Sequence, residues 1–178
     1  MYKAILILLL YYSTSFAQNF KFGFDLEVSQ IRISFPDGKS VLGTSQIPLS
    51  YHLDFTIEAI EKIFFQLKIG RATCTEFSGW EFGINGSYKF YKSLYVKTGI
   101  LHHSNEGGGI SNQLNVSSAS ILMIHLSVGV DVIEFLSIGL DYYIPTSKEV
   151  IVWQGFPEKQ AQTFESMIRL ASNFSWDI

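Results

Sequence analysis

The chain has 178 residues, with 13 basic and 16 acidic side chains, a formal net charge of −3 and a single cysteine, Cys74. That length suits one domain, the acidic balance argues against a nucleic-acid partner, and one cysteine excludes an internal disulfide. Aromatic residues make up 15% of the chain and charged residues only 16%, yet no apolar run is long enough for a transmembrane helix.

The N-terminus comes first. Lys3 precedes the apolar run Ala4–Tyr12, which is far short of the ~20 residues that span a bilayer. Ser15 and Ala17 follow with the spacing a signal peptidase reads. Residues 1–17 are therefore expected to be a secretory signal peptide and 18–178 the exported domain. Gln18 stands where a lipoprotein would carry cysteine.

From there the chain alternates. Phe20, Phe22, Phe24, Leu26 and Val28 interleave with Lys21, Gly23, Asp25, Glu27 and Ser29. Successive side chains of a strand point to opposite faces, so one face is apolar and the other polar. The same rhythm recurs around Ile47–Glu58, Phe65–Gly70, Trp80–Phe90, Leu94–Ile100, Leu122–Asp131, Leu136–Tyr143 and Ile168–Ile178. This predicts eight strands.

Three connections are short, at Glu61–Lys62, Tyr91–Ser93 and Ile133–Phe135; four are long, near residues 30–46, 71–79, 103–117 and 146–162. Short and long alternate strictly. An even strand number with this alternation predicts an all-β, eight-stranded, antiparallel up-and-down transmembrane barrel of the outer-membrane type, with both termini on the short-turn side. In the first long connection "FPDGK" (Phe35–Lys39) reads as a tight turn between extended arms.

A soluble sandwich or lipocalin-like barrel would show the same parity with its faces exchanged. Three features favour the membrane. Large aliphatics occupy one parity on every strand. Glycine and serine are frequent on the other, as a crowded lumen requires. Aromatics (Phe64, Phe65, Tyr88, Phe90, Tyr91, Tyr95, Phe135, Trp176) collect toward one rim, like an interfacial girdle.

The inward parity carries Lys21, Asp25, Glu27, His52, Asp54, Glu58, Lys68, Glu81, Lys89, Lys97, His125, Asp131, Asp141, Glu165, Arg169 and Asp177. Both signs are mixed, so a hydrogen-bonded ion network that plugs the tube is expected rather than a pore. His52 and His125 read as satisfied lumen histidines, and no metal or cofactor is expected.

The stretch "GILHHSNEGGGISN" (Gly99–Asn112) carries the candidate chemistry. Outward parity on the fifth strand continues through Ile100 to His102 and Ser104, with Ser118 and Ser120 at matching height on the sixth. An imidazole and a hydroxyl on one face of a strand suit proton abstraction and attack on an ester. Main-chain N–H groups from Asn105 to Gly108 would serve an oxyanion. Solvated loops of small barrels have the same composition, so a plain polar loop explains the stretch as well.

His102, Ser104 and Asn105, with Asn112 seven residues on, resemble the His-x-Ser-Asn motif of the lipid A 3-O-deacylase (acyloxyacyl hydrolase-like) family of small outer-membrane barrels. The resemblance implies Ser104 as nucleophile, His102 as general base and the Asn105 region, with Asn112, as oxyanion and positioning groups. Val116 stands where that family has a glutamate, and here the motif joins strands five and six rather than the last two. The leading expectation is a monomeric structural or surface-binding outer-membrane barrel with a plugged polar lumen. Its partners would be outer-membrane lipid (lipopolysaccharide) and the insertion machinery. The alternative is a lipid A deacylase-like esterase. A surface-binding role further predicts an aromatic surface on the connection Thr146–Gln162, with Trp153 and Phe156.

Overall fold

The structure is a computed structural model that describes residues 19–34, 38–42, 47–74, 77–106, 115–116, 119–146, 150–154 and 159–178. The expected signal peptide, Asn112 and Phe156 lie outside the described residues, as do the side chains of Val116 and Trp153.

Eight long strands form the wall: β1 (Phe20–Ser34), β3 (Leu49–Ile60), β4 (Ile63–Thr73), β5 (Gly79–Tyr91), β6 (Leu94–Asn105), β8 (Ala119–Ile133), β9 (Leu136–Pro145) and β11 (Lys159–Asp177). Each pairs antiparallel with the next, and β1 pairs with β11 from Lys21↔Asp177 to Ser34↔Thr163, closing the barrel. Closure removes every free edge along the wall. Three short strands, β2 (Ser40–Leu42), β7 (Asn115–Val116) and β10 (Val150–Gln154), extend the sheet at the end opposite the tight turns. β2 returns along β1 through Ser34↔Ser40, with Gly38 at φ 80°, so β1 and β2 pair as a hairpin; Phe35, Pro36 and Asp37 of "FPDGK" lie outside the described residues.

All three short connections fall where expected, and each is accompanied by a register shift: Glu58/Ile60, Lys89/Tyr91 and Asp131/Ile133. The last strand departs from expectation. It begins at Lys159 rather than near Ile168, because the segment read as a long connection folds into the β10–β11 hairpin.

The parity reading holds through the wall. Phe24, Leu53, Leu67, Ile84, Leu126, Leu140 and Leu170 are exposed, while Asp25, Glu27, His52, Lys68, Glu81, Asp141 and Arg169 are buried. Polar groups inside and aliphatics outside invert a water-soluble barrel. Trp80 to Phe90 is eleven residues of β5, so its ten steps cover about 33 Å of strand, or about 25 Å of height at the usual tilt. That height matches the apolar band of an outer-membrane barrel.

Three details differ from the sequence expectation. Phe64 and Tyr95, counted in the girdle, are buried on the inner face; Phe65, Tyr88, Phe90, Tyr91, Phe135 and Trp176 are exposed. Glu165, counted in the lumen, instead meets Arg32 Nε at 2.9 Å. A bulge between Arg32 and Ile33 explains this: one extra residue reverses the phase beyond it, turning Phe164 inward. Finally, the inward parity becomes apolar toward the loop end, where Ile31, Ile33, Ala72, Phe77, Leu101, Ile121, Met123, Phe164 and Met167 pack together.

Candidate functional site

Two arrangements of side chains carry chemistry, one inside the barrel and one on its outer wall.

Inside, Glu81 on β5 and Arg169 on β11 sit on opposite walls, since those strands are four places apart in the ring of eight. Arg169 Nη2 donates to Glu81 Oε1 (2.6 Å), and Nη1 donates to Glu81 Oε2 (2.8 Å) and Glu27 Oε2 (2.6 Å). Planar guanidinium matches carboxylate in this two-pronged way. Lys68 Nζ donates to Glu27 Oε1 (2.6 Å) and to the Tyr143 hydroxyl (3.1 Å). Two carboxylates thus meet two cations, all buried, which meets the requirement that buried charge be paired and hydrogen-bonded.

Histidines surround this quartet. His52 Nε2 lies 2.8 Å from Glu81 Oε2, and His103 Nδ1 lies 3.1 Å from Glu81 Oε1. His125 Nδ1 lies 2.8 Å from Asn85 Oδ1, and its ring stacks on Tyr143 with centroids 4.5 Å apart. Phe77 stacks on His103 at 3.6 Å and on Phe164 at 5.7 Å, joining the ionic layer to the apolar cluster above it. His103, Tyr143, Asn85 and Phe77 were not singled out in the sequence. The odd parity of β6 marks His103 as inward, but its neighbour His102 drew the attention.

Among the described residues, Asp25, Glu27 and His52 have metal-ligand spacing. Lys68 and Arg169, both bonded to Glu27, already supply its positive partners, so a divalent cation would meet two fixed positive charges there.

On the outer wall His102 and Ser104 project outward as expected. Across the β6–β8 ladder Ser104 faces Ser120 and His102 faces Leu122. The His102 ring turns toward β8: Nε2 lies 2.6 Å from Ser120 Oγ, the tautomer deciding which donates. Asn105 is buried on the opposite face of β6, and its Oδ1 accepts from the Ser78 N–H at 3.1 Å. The wall therefore brings together His102, Ser104 and Ser120, and sends the Asn105 side chain inside.

Further round the same register row, Arg71 on β4 pairs with Trp80 on β5. Its guanidinium carbon lies 5.9 Å from the Trp80 ring centroid, and its Nη2 donates to Glu106, just past the end of β6. Glu106 thus engages Arg71 on the outer wall.

No family model matches the sequence, and no curated protein matches it. Among solved structures the chain is similar to Ail, the attachment invasion locus protein of Yersinia pestis, determined with the heparin analogue sucrose octasulfate (TM-score 0.51, 13% identity, 88% of this chain and 99% of that one). It is also similar to the N-terminal β-barrel domain of Pseudomonas aeruginosa OprF (TM-score 0.47, 12% identity, 86% and 97%) and to Neisserial surface protein A (TM-score 0.44, 15% identity, 85% and 96%). The molecule is a small, closed, eight-stranded antiparallel barrel with the fold of outer-membrane proteins.

Proposed function

We propose that this chain is an integral outer-membrane protein, exported by its N-terminal signal and inserted as a monomer, that acts through its surface rather than as a conduit. The observation that supports this is the ion pair from Arg169 to Glu81 across the diameter of the lumen, with an apolar cluster that includes Ile33, Phe77 and Phe164 on its loop side. An eight-stranded interior is just wide enough for side chains to fill it, and here a charged layer and an apolar layer succeed one another along the axis. Planar-bilayer recordings of the refolded protein should show no discrete conductance. Stable ohmic steps in the wild type would overturn the closed-lumen reading.

A second reading, a lipid-directed esterase, draws support from the 2.6 Å contact between His102 and Ser120. His102 remains the general base in it. Ser120, already in contact, competes with Ser104 for the part of nucleophile. Mass spectrometry of lipid A from cells expressing wild type, Ser104→Ala and Ser120→Ala decides between them: deacylation by wild type that is lost in one variant names the nucleophile. Intact lipid A in all three removes this substrate.

A further inference from the structure

Tyr51, Arg71, Trp80, Ser104 and Ser120 form one lateral row across five strands. The register gives Tyr51↔Arg71, Arg71↔Trp80, Trp80↔Ser104 and Ser104↔Ser120 in succession. One step toward the turn end, the same outward face is apolar: Ile69, Phe82 and Leu122 are all exposed, and only His102 interrupts them. Each member of the row lies within two residues of the loop end of its strand. A basic side chain costs about 2–4 kcal/mol at the bilayer midplane but only about 0–1 at the interface. Arg71, two residues from the end of β4 at Thr73, is therefore placed toward the lipid headgroups.

From this geometry we infer that the row binds the phosphate of an outer-leaflet lipid. Arg71 crosses the Trp80 ring to reach Glu106 beyond β6, so its guanidinium lies over β5, beside the outward face of β6. Glu106 takes one prong of a five-donor fork, which leaves further N–H groups for an anion. Ser104 is the next outward side chain in the row, and His102 follows on the same face of β6. His102 is oriented by Ser120, and Arg71 by Trp80 and Glu106, so the groups are held in place before a ligand arrives, which lowers the ordering cost of binding. A phosphate seated between Arg71 and Ser104 has a bidentate cation on one side and a hydroxyl donor on the other, with its acyl chains against Phe82 and Leu122. Glu106 is the opposing charge, and it limits affinity.

The inference rests on the membrane placement proposed above, and the test separates the two. Full-length protein refolded in a neutral detergent is examined by native mass spectrometry with phosphatidic acid, with diacylglycerol of the same chains, and with inorganic phosphate. Wild type should retain one phosphatidic acid in preference to diacylglycerol, and inorganic phosphate should not displace it. Arg71→Gln should weaken retention about tenfold, the loss of one charge-assisted bidentate contact, and Glu106→Gln should strengthen it. The gain in Glu106→Gln is a result that a merely damaged fold does not produce. Equal retention of both lipids, no response to Arg71→Gln, or displacement by inorganic phosphate overturns the inference. Separately, brominated lipid should quench Trp80 in a Trp153→Phe/Trp176→Phe background. Quenching without phosphate selectivity sinks only the headgroup site; absence of quenching sinks the placement as well.

Discussion

Glu81 accepts from Arg169 through both carboxylate oxygens and contacts His52 and His103 as well. Its two oxygens serve three partners between them. Replacing it with glutamine keeps the shape but leaves the Arg169 guanidinium short of a counter-charge within the lumen. Breaking one side of a buried pair costs about 3–5 kcal/mol, more than the pair's net contribution to stability. Glu81→Gln should therefore lower unfolding stability in detergent by that order, followed by urea titration. Glu134→Gln, at an exposed turn position, should leave it unchanged. Close packing acts on glycine in the same space. A Cβ at Gly129 would run into the Tyr95 ring, so the aromatic that parity sends inward finds room only because residue 129 has no side chain.

At the scale of the element, the short turns share a device. Each is preceded by a slipped pair, and in two of them a lysine adopts positive φ: Lys62 at 71° and Lys92 at 36°. A non-glycine residue in the left-handed region costs roughly 1–2 kcal/mol, and glycine relieves it at the expense of a more flexible unfolded chain. Lys62→Gly should accordingly raise stability by up to about 1 kcal/mol, seen as a higher urea midpoint with an unchanged slope. A lower midpoint would mean that the Lys62 backbone is not strained. The bulge at Arg32/Ile33 works at the other end of the wall. The extra residue is Glu165 on β11, so β11 exchanges faces beyond it while β1 keeps its own; Glu165 meets Arg32 outside and Phe164 is buried.

For the whole molecule, stability divides by location. The Arg169, Lys68, Glu27 and Glu81 contacts are buried, whereas Lys21–Asp177 (3.2 Å) and Lys89–Asp131 (2.7 Å) sit at the partly exposed turn end. Raising salt from about 0.1 M to 1 M shortens the screening length from about 10 Å to 3 Å, which weakens exposed pairs and spares buried ones. Unfolding free energy should thus fall by less than about 1 kcal/mol over that range. A steep loss would show that water and ions reach the lumen.

The alternation of Phe20 to Val28, and its repetition seven times more, marked the strands and which residues share a face; the short and long connections in turn pointed to the antiparallel barrel, and the large aliphatics on one parity with glycine and serine on the other pointed to which face is inward. A period of two is a local property, and any residue's face follows from its neighbours. Position along the barrel axis is not local. That the inward side chains turn from ionic at Glu81 and Arg169 to apolar at Phe77 and Phe164 toward the loop end depends on which strands meet at one height, and that depends on register. The same holds on the outer wall. His102 and Ser104 were visible as a pair on one face, but Ser120, 18 residues on from His102, became its partner through the β6–β8 pairing. Arg71 and Trp80 joined that row only through the β4–β5, β5–β6 and β6–β8 ladders. Parity is written in the chain; lateral neighbours are decided by hydrogen-bond register, which only the closed sheet sets.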